Sequence, residues 1–267
     1  GVHWPKRKGF FGESFARELL RNGDRMADAI TATNVLAHVP HPLDFMRGVK
    51  TLLAPDGVAV FEFPAGEIFG EQTLFDLLYA EHIGYITQNG FIALALRAGL
   101  RVVDIVLTDT HGGSVRAFVK HGAADARPVT RGEPVQDFAT VTARKLFGLA
   151  DKLKGKKIIG FGSAAKSVVV NACYFDGQAE AWAVPQFIID ETPAKVGKFQ
   201  PGSGAKVLPL PHPDAYFEGM SDSEKLADEL LRSADVCVNY AWNYRGEVRD
   251  KLARAGFKGE VVTIHDF

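Results

Sequence analysis

Short apolar runs alternate with a helical stripe between residues 26 and 63. MADAITAT (26–33) reads as a short buried strand ending at Asn34, and Pro40 and Pro42 mark a loop. In LDFMRGVKTLL (43–53) the apolar positions Leu43, Met46, Val49, Leu52 and Leu53 recur at helical spacing. Asp56-Gly57 predicts a turn and VAVFEF (58–63) a strand. Strand, helix, turn and strand in that order form a unit of a parallel α/β sheet.

The pattern then changes. A helix is expected over about Glu71–Leu78 and a second over Gln88–Ala98, stopped by Gly99. Leu100–Leu107 and Val115–Lys120 bracket THGGS (110–114) and predict an antiparallel edge hairpin. Periodicity is lost over 121–134, HGAADARPVTRGEP, where Pro, Gly and charge mark a linker. We place the domain boundary there, with 1–122 in one domain and 123–267 in another. A long amphipathic helix over Val135–Lys154 opens the second domain. Strands at Lys156–Gly160, 185–190, 206–210, ADVCVNY (234–240) and Glu260–Ile264 alternate with helices at Ala165–Tyr174, Asp222–Arg232 and Glu247–Ala255. That alternation implies a doubly wound sheet. The insertion His212–Ser233 lengthens one of its loops and has no evident role.

Composition narrows the function classes. Hydrophobic residues make up 46% of the 267 and charged residues 24%, enough for sizeable cores. The formal net charge of −1 gives no reason to expect a nucleic-acid partner. No apolar run approaches the roughly 18 residues of a membrane span, and no signal peptide is evident, so a cytoplasmic location is the expectation. Cys173 and Cys237 lie far apart, which argues against a cysteine-rich zinc site or a disulfide framework. The chain opens on GVHWPKRKGFF rather than Met, and we read it as a piece of a longer protein.

Five strings carry candidate chemistry. FDLLYAEHIGY (75–85) brings a phenol, a carboxylate and an imidazole together at Tyr79, Glu81 and His82, groups that hold and move a proton. TATNVLAHVPHP places Asn34 and His38 just past a strand end, the ligand side of open α/β sheets. THGGSVR exposes backbone at Gly112 and Gly113 between His111, Ser114 and Arg116, which suits an anion or a sugar, or is a plain hairpin turn. In GFGSAAKS, Gly160, Gly162 and Ala165 fit a dinucleotide loop before a helix, with Lys166 adding charge and Asp190 ending the next strand. DETPAKVGKFQPGS, with Lys195, and YAWNYRGEV, with Trp242 and Asn243, complete the set. An oxidoreductase using GFGSAAK and Asp190 with NAD(P), and a non-catalytic nucleotide-sugar binding module, both remain open at this point.

Taken in order, NVLAHV, LLAPDGV, FD-x-x-Y-x-EH, HGGS-x-R, G-F-G-x-A-A-K, D-x-x-P-x-K-x-G and A-W-N resemble the nucleotide-deoxysugar C-methyltransferases over nearly the whole chain. The resemblance implies an α/β fold in two parts. The C-terminal part of a class I, S-adenosylmethionine (SAM)-dependent Rossmann-like sheet is followed by a second doubly wound Rossmann-like domain for substrate. It implies methylation of a carbon next to the ketone of a nucleotide-linked sugar. His82 would act as base, Tyr79 and Glu81 as orienting or acid partners, and His38 would lie across the pocket. Phe11 and Asn34 fall on the cofactor side. His111, Gly112, Gly113, Ser114, Arg116, Gly160, Gly162, Lys166, Asn171, Lys195, Trp242 and Asn243 fall on the substrate side. The family's glycine-rich SAM loop and its zinc module would precede Gly1, so no metal ligands are expected within this chain. The family pattern Tyr-His-Glu-His has Ala80 in place of its first His, which points to a different substrate geometry. A monomer or homodimer is expected.

Overall fold

The computed structural model describes residues 7–122, 137–177, 181–212 and 220–267. The linker expected over 121–134 lies almost wholly outside the described residues, as does part of the 212–233 insertion. The chain forms two units. The first comprises Gly1–Gln72 and Ala80–Pro134, the second Thr73–Tyr79 and Val135–Phe267.

The first unit is a mixed sheet with helices. Helix α1 (Glu13–Arg21) precedes β1 (Ala27–Thr33), α2 (Pro42–Leu52) and β2 (Leu53–Pro64). After α3 (Gly66–Glu71) and α4 (Gln88–Arg97) come β3 (Leu100–Thr108) and β4 (Ser114–His121). The strand order is β1-β2-β4-β3. β1 and β2 are parallel, as the intervening α2 allows, and β4 is antiparallel to both β2 and β3. The edge hairpin therefore stands where the pattern put it, with β3 outermost. Asp56-Gly57 is not a free turn. It lies within β2, where the register jumps from Ala27 opposite Leu53 to Ala29 opposite Val58. Phe61 and Phe63, two apart on one face of β2, are both buried and meet Phe91 of α4 at ring distances of 5.2 and 5.1 Å.

The helix expected over Glu71–Leu78 is not formed. α3 ends at Glu71, Thr73 takes a left-handed φ of 50°, and only a 3-10 turn, Phe75–Leu77, follows. A threonine at that φ cannot continue an α-helix.

In the second unit α5 (Phe138–Leu153) leads to β5 (Ile158–Phe161), α6 (Ala165–Gly177), β6 (Phe187–Ile189) and β7 (Lys206–Leu208). α7 (Asp222–Ser233), β8 (Val236–Asn239), α8 (Arg245–Arg254) and β9 (Glu260–Val262) complete it. All its strands are parallel, in the order β7-β6-β5-β8-β9. This is a doubly wound, Rossmann-like sheet whose strand order reverses between β5 and β8. Apolar cores lie on both faces. One contains Leu149, Val170, Tyr174 and Val238, the other Ile159, Ile189, Leu231 and Leu252.

Candidate functional site

In the first unit the polar groups gather past the end of β1. Asn34 adopts φ 53°, and its N–H donates to the Glu62 carbonyl at 2.8 Å, closing the parallel pair. Its Oδ1 is buried with no hydrogen-bond partner. A 3-10 turn, Leu36–His38, follows. That turn grips a segment more than forty residues on. The Ile83 and Gly84 amides both donate to the Ala37 carbonyl, at 2.9 and 3.2 Å. His38 Nδ1 lies 2.6 Å from the Glu81 carbonyl oxygen. A carbonyl only accepts, so Nδ1 carries the proton and neutral His38 presents its lone pair at Nε2. The result is a pair of imidazoles, His38 and His82, with ring centroids 4.9 Å apart. Tyr85 stands edge-on to His82 at 6.1 Å, its phenol pKa raised by burial. The turn at Pro40 and the strand end at Asn34 thus bring together His38, the Glu81 backbone and His82. The Glu81 side chain itself is exposed.

The other residues expected in this unit are placed differently. Phe11 packs edge-on against Phe45 at 5.2 Å and Phe15 at 6.4 Å, an ordinary role in the aromatic packing of the helix layer. Ser114 is fully buried and donates its hydroxyl to the Thr110 carbonyl at 2.8 Å. Arg116 sits directly opposite Glu62 in the ladder and pairs with it, Nε and Nη2 lying 2.9 and 2.5 Å from Oε2. His111 is exposed at φ 54°. Gly112 lies beside it in the turn, and Gly113 at φ 129° leaves no room for a side chain, because a Cβ would lie 2.5 Å from Ile68 Cδ1.

The second unit binds most of its motif residues to one another. Gly160 lies within β5, and a Cβ there would meet Ile188 and Tyr240 at 3.0 and 3.1 Å. Close packing alone accounts for a glycine at this position. Gly162 turns the chain at φ 92°. Asp190 is enclosed by donors: Ser163 N and Thr192 N at 2.8 Å each, and Lys195 Nζ at 3.2 Å. Burial raises its carboxyl pKa, but bonds from Thr192 and Lys195 outweigh this and hold it below the ordinary value. A carboxylate so engaged ties the glycine loop to β6, which disfavours the reading of Asp190 as a ribose acceptor. Asn171 is buried in a polar chain. Tyr240 donates to its Oδ1 at 2.6 Å, its Nδ2 donates to Gln200 at 2.8 Å, and Gln200 donates to Ser167 at 2.7 Å. Asn171 thus acts as a strut beneath the loop.

One cluster was not expected from the motifs as a group. Asp76 is 1% exposed, yet its carboxylate accepts from Trp242 Nε1 at 2.6 Å and faces His265 Nε2 at 3.1 Å. Lys145 Nζ lies 3.0 Å from His265 Nδ1, while Lys166 Nζ donates to Asn243 at 3.1 Å and sits 4.0 Å above the Trp242 ring. Burial lowers the Lys166 pKa to about 8, against a smaller opposing effect of Asp76. Asp76 and Trp242 lay within quoted motifs, but nothing marked Lys145 or His265. A hollow of about 320 Å³ opens at the carboxyl ends of the strands, lined by Gly162, Asp190, Thr192 and Tyr244. A larger one, about 1030 Å³, lies at their amino ends around Trp182 and Phe199 and is lined by none of the residues named as site candidates. Among the described residues no cluster of His, Cys, Asp or Glu could hold a metal ion, and no helix is long and apolar enough to cross a membrane.

Residues 5–105 match the family model described as Methyltransferase domain. Over 262 residues the chain is 28% identical to the C-methyltransferase NovU of Streptomyces niveus, covering 91% of this chain and 57% of that relative. The chain thus spans little more than half the length of the curated relative it matches. Among solved structures, LepI in complex with SAM aligns at a TM-score of 0.32 and 15% identity over 37% of this chain and 27% of that one. A SAM-dependent methyltransferase from Clostridium acetobutylicum aligns at 0.30 and 12% identity, over 40% and 69%. Scores this low carry no argument, and the fold stands on the strand orders. The family model and the relative both carry the name of methyltransferases.

Proposed function

We propose that the protein to which this chain belongs transfers a methyl group from SAM to a carbon beside the ketone of a nucleotide-linked deoxysugar. The observation that carries this reading is the His38–His82 pair, held at 4.9 Å past the end of β1 by hydrogen bonds from the 81–84 segment to the Leu36–His38 turn. The identity to a C-methyltransferase supports the carbon acceptor. Asn34 gives the cofactor a fitting contact, since its buried, unpartnered Oδ1 suits an N–H or O–H donor and SAM carries both. When bound, SAM supplies an electrophilic methyl group.

His82 removes the proton from the carbon alpha to the ketone, and the resulting enolate carbon is the nucleophile. His38, with Nδ1 committed to the Glu81 carbonyl, offers Nε2. Once protonated there it donates toward the ketone oxygen as charge develops. Tyr79, three positions before His82 in the chain, is a second candidate donor. Lys166 and Asn243 remain the candidate contacts for the nucleotide sugar in the second unit, and Lys195, His111 and Gly112 are less engaged candidates. The experiment is methyl transfer by the full-length protein to a nucleotide-linked keto-deoxysugar. His82→Ala should lower the rate roughly 10²- to 10⁴-fold. A variant within a few-fold of wild type would mean that His82 is not the base.

A further inference from the structure

Thr73–Tyr79 folds with the second unit, although the chain on either side of it belongs to the first. The segment has little structure of its own. Leu77 N donates to Leu74 O, Leu78 N to Phe75 O and Tyr79 N to Leu77 O, within one 3-10 turn. Its hold comes from elsewhere in the second unit. Lys145 Nζ donates to the Thr73 carbonyl at 3.4 Å. Phe75 enters the core beside Leu149, Val170 and Tyr174. Asp76 receives the Trp242 indole N–H at 2.6 Å and faces His265 Nε2 at 3.1 Å.

The directions of these bonds agree with one another. An ammonium only donates, so His265 Nδ1 accepts from Lys145. The ring proton of neutral His265 then sits on Nε2 and points at Asp76. Burial alone would raise the Asp76 carboxyl pKa. The bonds from His265 and Trp242 and the charge of Lys166 work against that, and the net shift is downward. Burying a carboxylate gains little net stability over apolar packing of the whole site, and its loss alone would strand the Trp242 and His265 donors. What a carboxylate held from two directions adds is orientation. Orientation matters here because Leu78, the next residue after the buried Leu77, is 46% exposed. No core side chain separates the grip on Asp76 and Leu77 from Tyr79.

We propose that Asp76, gripped by Trp242 and His265, is a positioning residue for methyl transfer, fixing the stretch of chain that ends in Tyr79. The inference rests on reading Tyr79 and His82 as the groups that handle the proton. It gives the indole of Trp242 a task distinct from touching the nucleotide sugar.

The test uses the full-length protein with Trp242→Phe and Asp76→Asn. Trp242→Phe keeps a smaller aromatic ring beneath Lys166 while removing the N–H, so it carries the test alone where Asp76→Asn does not fold. Both variants should lower kcat roughly 10- to 10²-fold, with KM for both substrates within about twofold, the signature of lost alignment rather than lost binding. Amide exchange at Leu77, Leu78 and Tyr79 should quicken about tenfold or more while Val238 stays protected. Unchanged kcat in an active enzyme overturns the positioning role alone, and so does unchanged exchange at those amides. A rise in KM for the sugar nucleotide with kcat intact also overturns it, and returns Trp242 to substrate contact. A wild-type protein that transfers no methyl group overturns the reading of Tyr79 and His82, and the positioning role with it.

Discussion

Both sheets end a strand in a loop rich in motif residues, at Asn34 after β1 and at Gly162 after β5, but the two loops use their polar groups differently. After β1 the groups are held by backbone and keep their side-chain chemistry. Asn34 retains a buried acceptor without a partner, and His38 is anchored through one nitrogen to a carbonyl, leaving the other. After β5 the side chains hold each other. Asp190 takes Ser163, Thr192 and Lys195, and Asn171 joins Tyr240 to Gln200. Buried polar groups that satisfy one another rigidify a loop. Groups oriented by backbone alone remain available to a reacting molecule. The first arrangement suits proton transfer and the second suits holding a loop in shape.

The sharpest way to break this contrast is the His82→Ala exchange, with its expected loss of roughly 10²- to 10⁴-fold in rate and little change in thermal stability. A variant that instead unfolds would place His82 among the structural residues. Next in size is Asn171→Leu. It strands the Tyr240 hydroxyl in the core and removes one of the bonds to Gln200, which keeps Ser203 and Ser167, and should destabilise the second unit by about 2 kcal/mol in urea titrations. If stability held and only the KM for the sugar nucleotide rose, the loop after β5 would be a binding loop after all.

Lys166 is an intermediate case. The fall of its pKa from 10.5 to about 8 corresponds to ~3 kcal/mol of burial penalty. Below pH 8 the amine is charged in both folded and unfolded chains, and the whole penalty stands. Between pH 8 and 10.5 the folded amine is deprotonated while the unfolded one still holds its proton, so stability rises with pH. Lys166→Met should therefore stabilise the unit at pH 7 by ~2 kcal/mol, after the lost contacts to Trp242 and Asn243 are subtracted, and flatten that slope. Melting curves across pH 7–10.5 check both. The smallest effect is a reference for an exposed polar group. Ser221→Ala removes a capping box with Glu224 at the start of α7 and should cost about 1 kcal/mol.

Regular elements were readable from local pattern because their causes are local. The 3.6-residue stripe produced α2 and α4, and the glycine-rich break between two β-branched runs produced the β3–β4 hairpin. The helix expected over Glu71–Leu78 failed for a reason no window of sequence contains. Asp76 is drawn to Trp242, 166 positions away, and to His265, 189 positions away. The same distance hid His265, a single histidine in TIHDF. His38 was identifiable past a strand end and His82 beside Tyr79 and Glu81, whereas the clamp from Ala37 to Ile83 and Gly84 that unites them is tertiary. Gly160 fitted a phosphate-loop spacing because a glycine needed for packing against Ile188 and Tyr240 has the same one-letter signature.

The detour of Thr73–Tyr79 also bears on how such a protein can be inherited. A gene cut once, between the two sheets, would deliver a second unit without Phe75 and Asp76. Its core would have a vacant aromatic seat. The Trp242 N–H would lack its acceptor, and Lys145 and Lys166 would lose the Asp76 charge that favours their protonated forms. Recombination that exchanged this unit for another would need to move two separated stretches together. The unit is therefore not a portable module, and its seven-residue outlier ties the history of one sheet to that of the other.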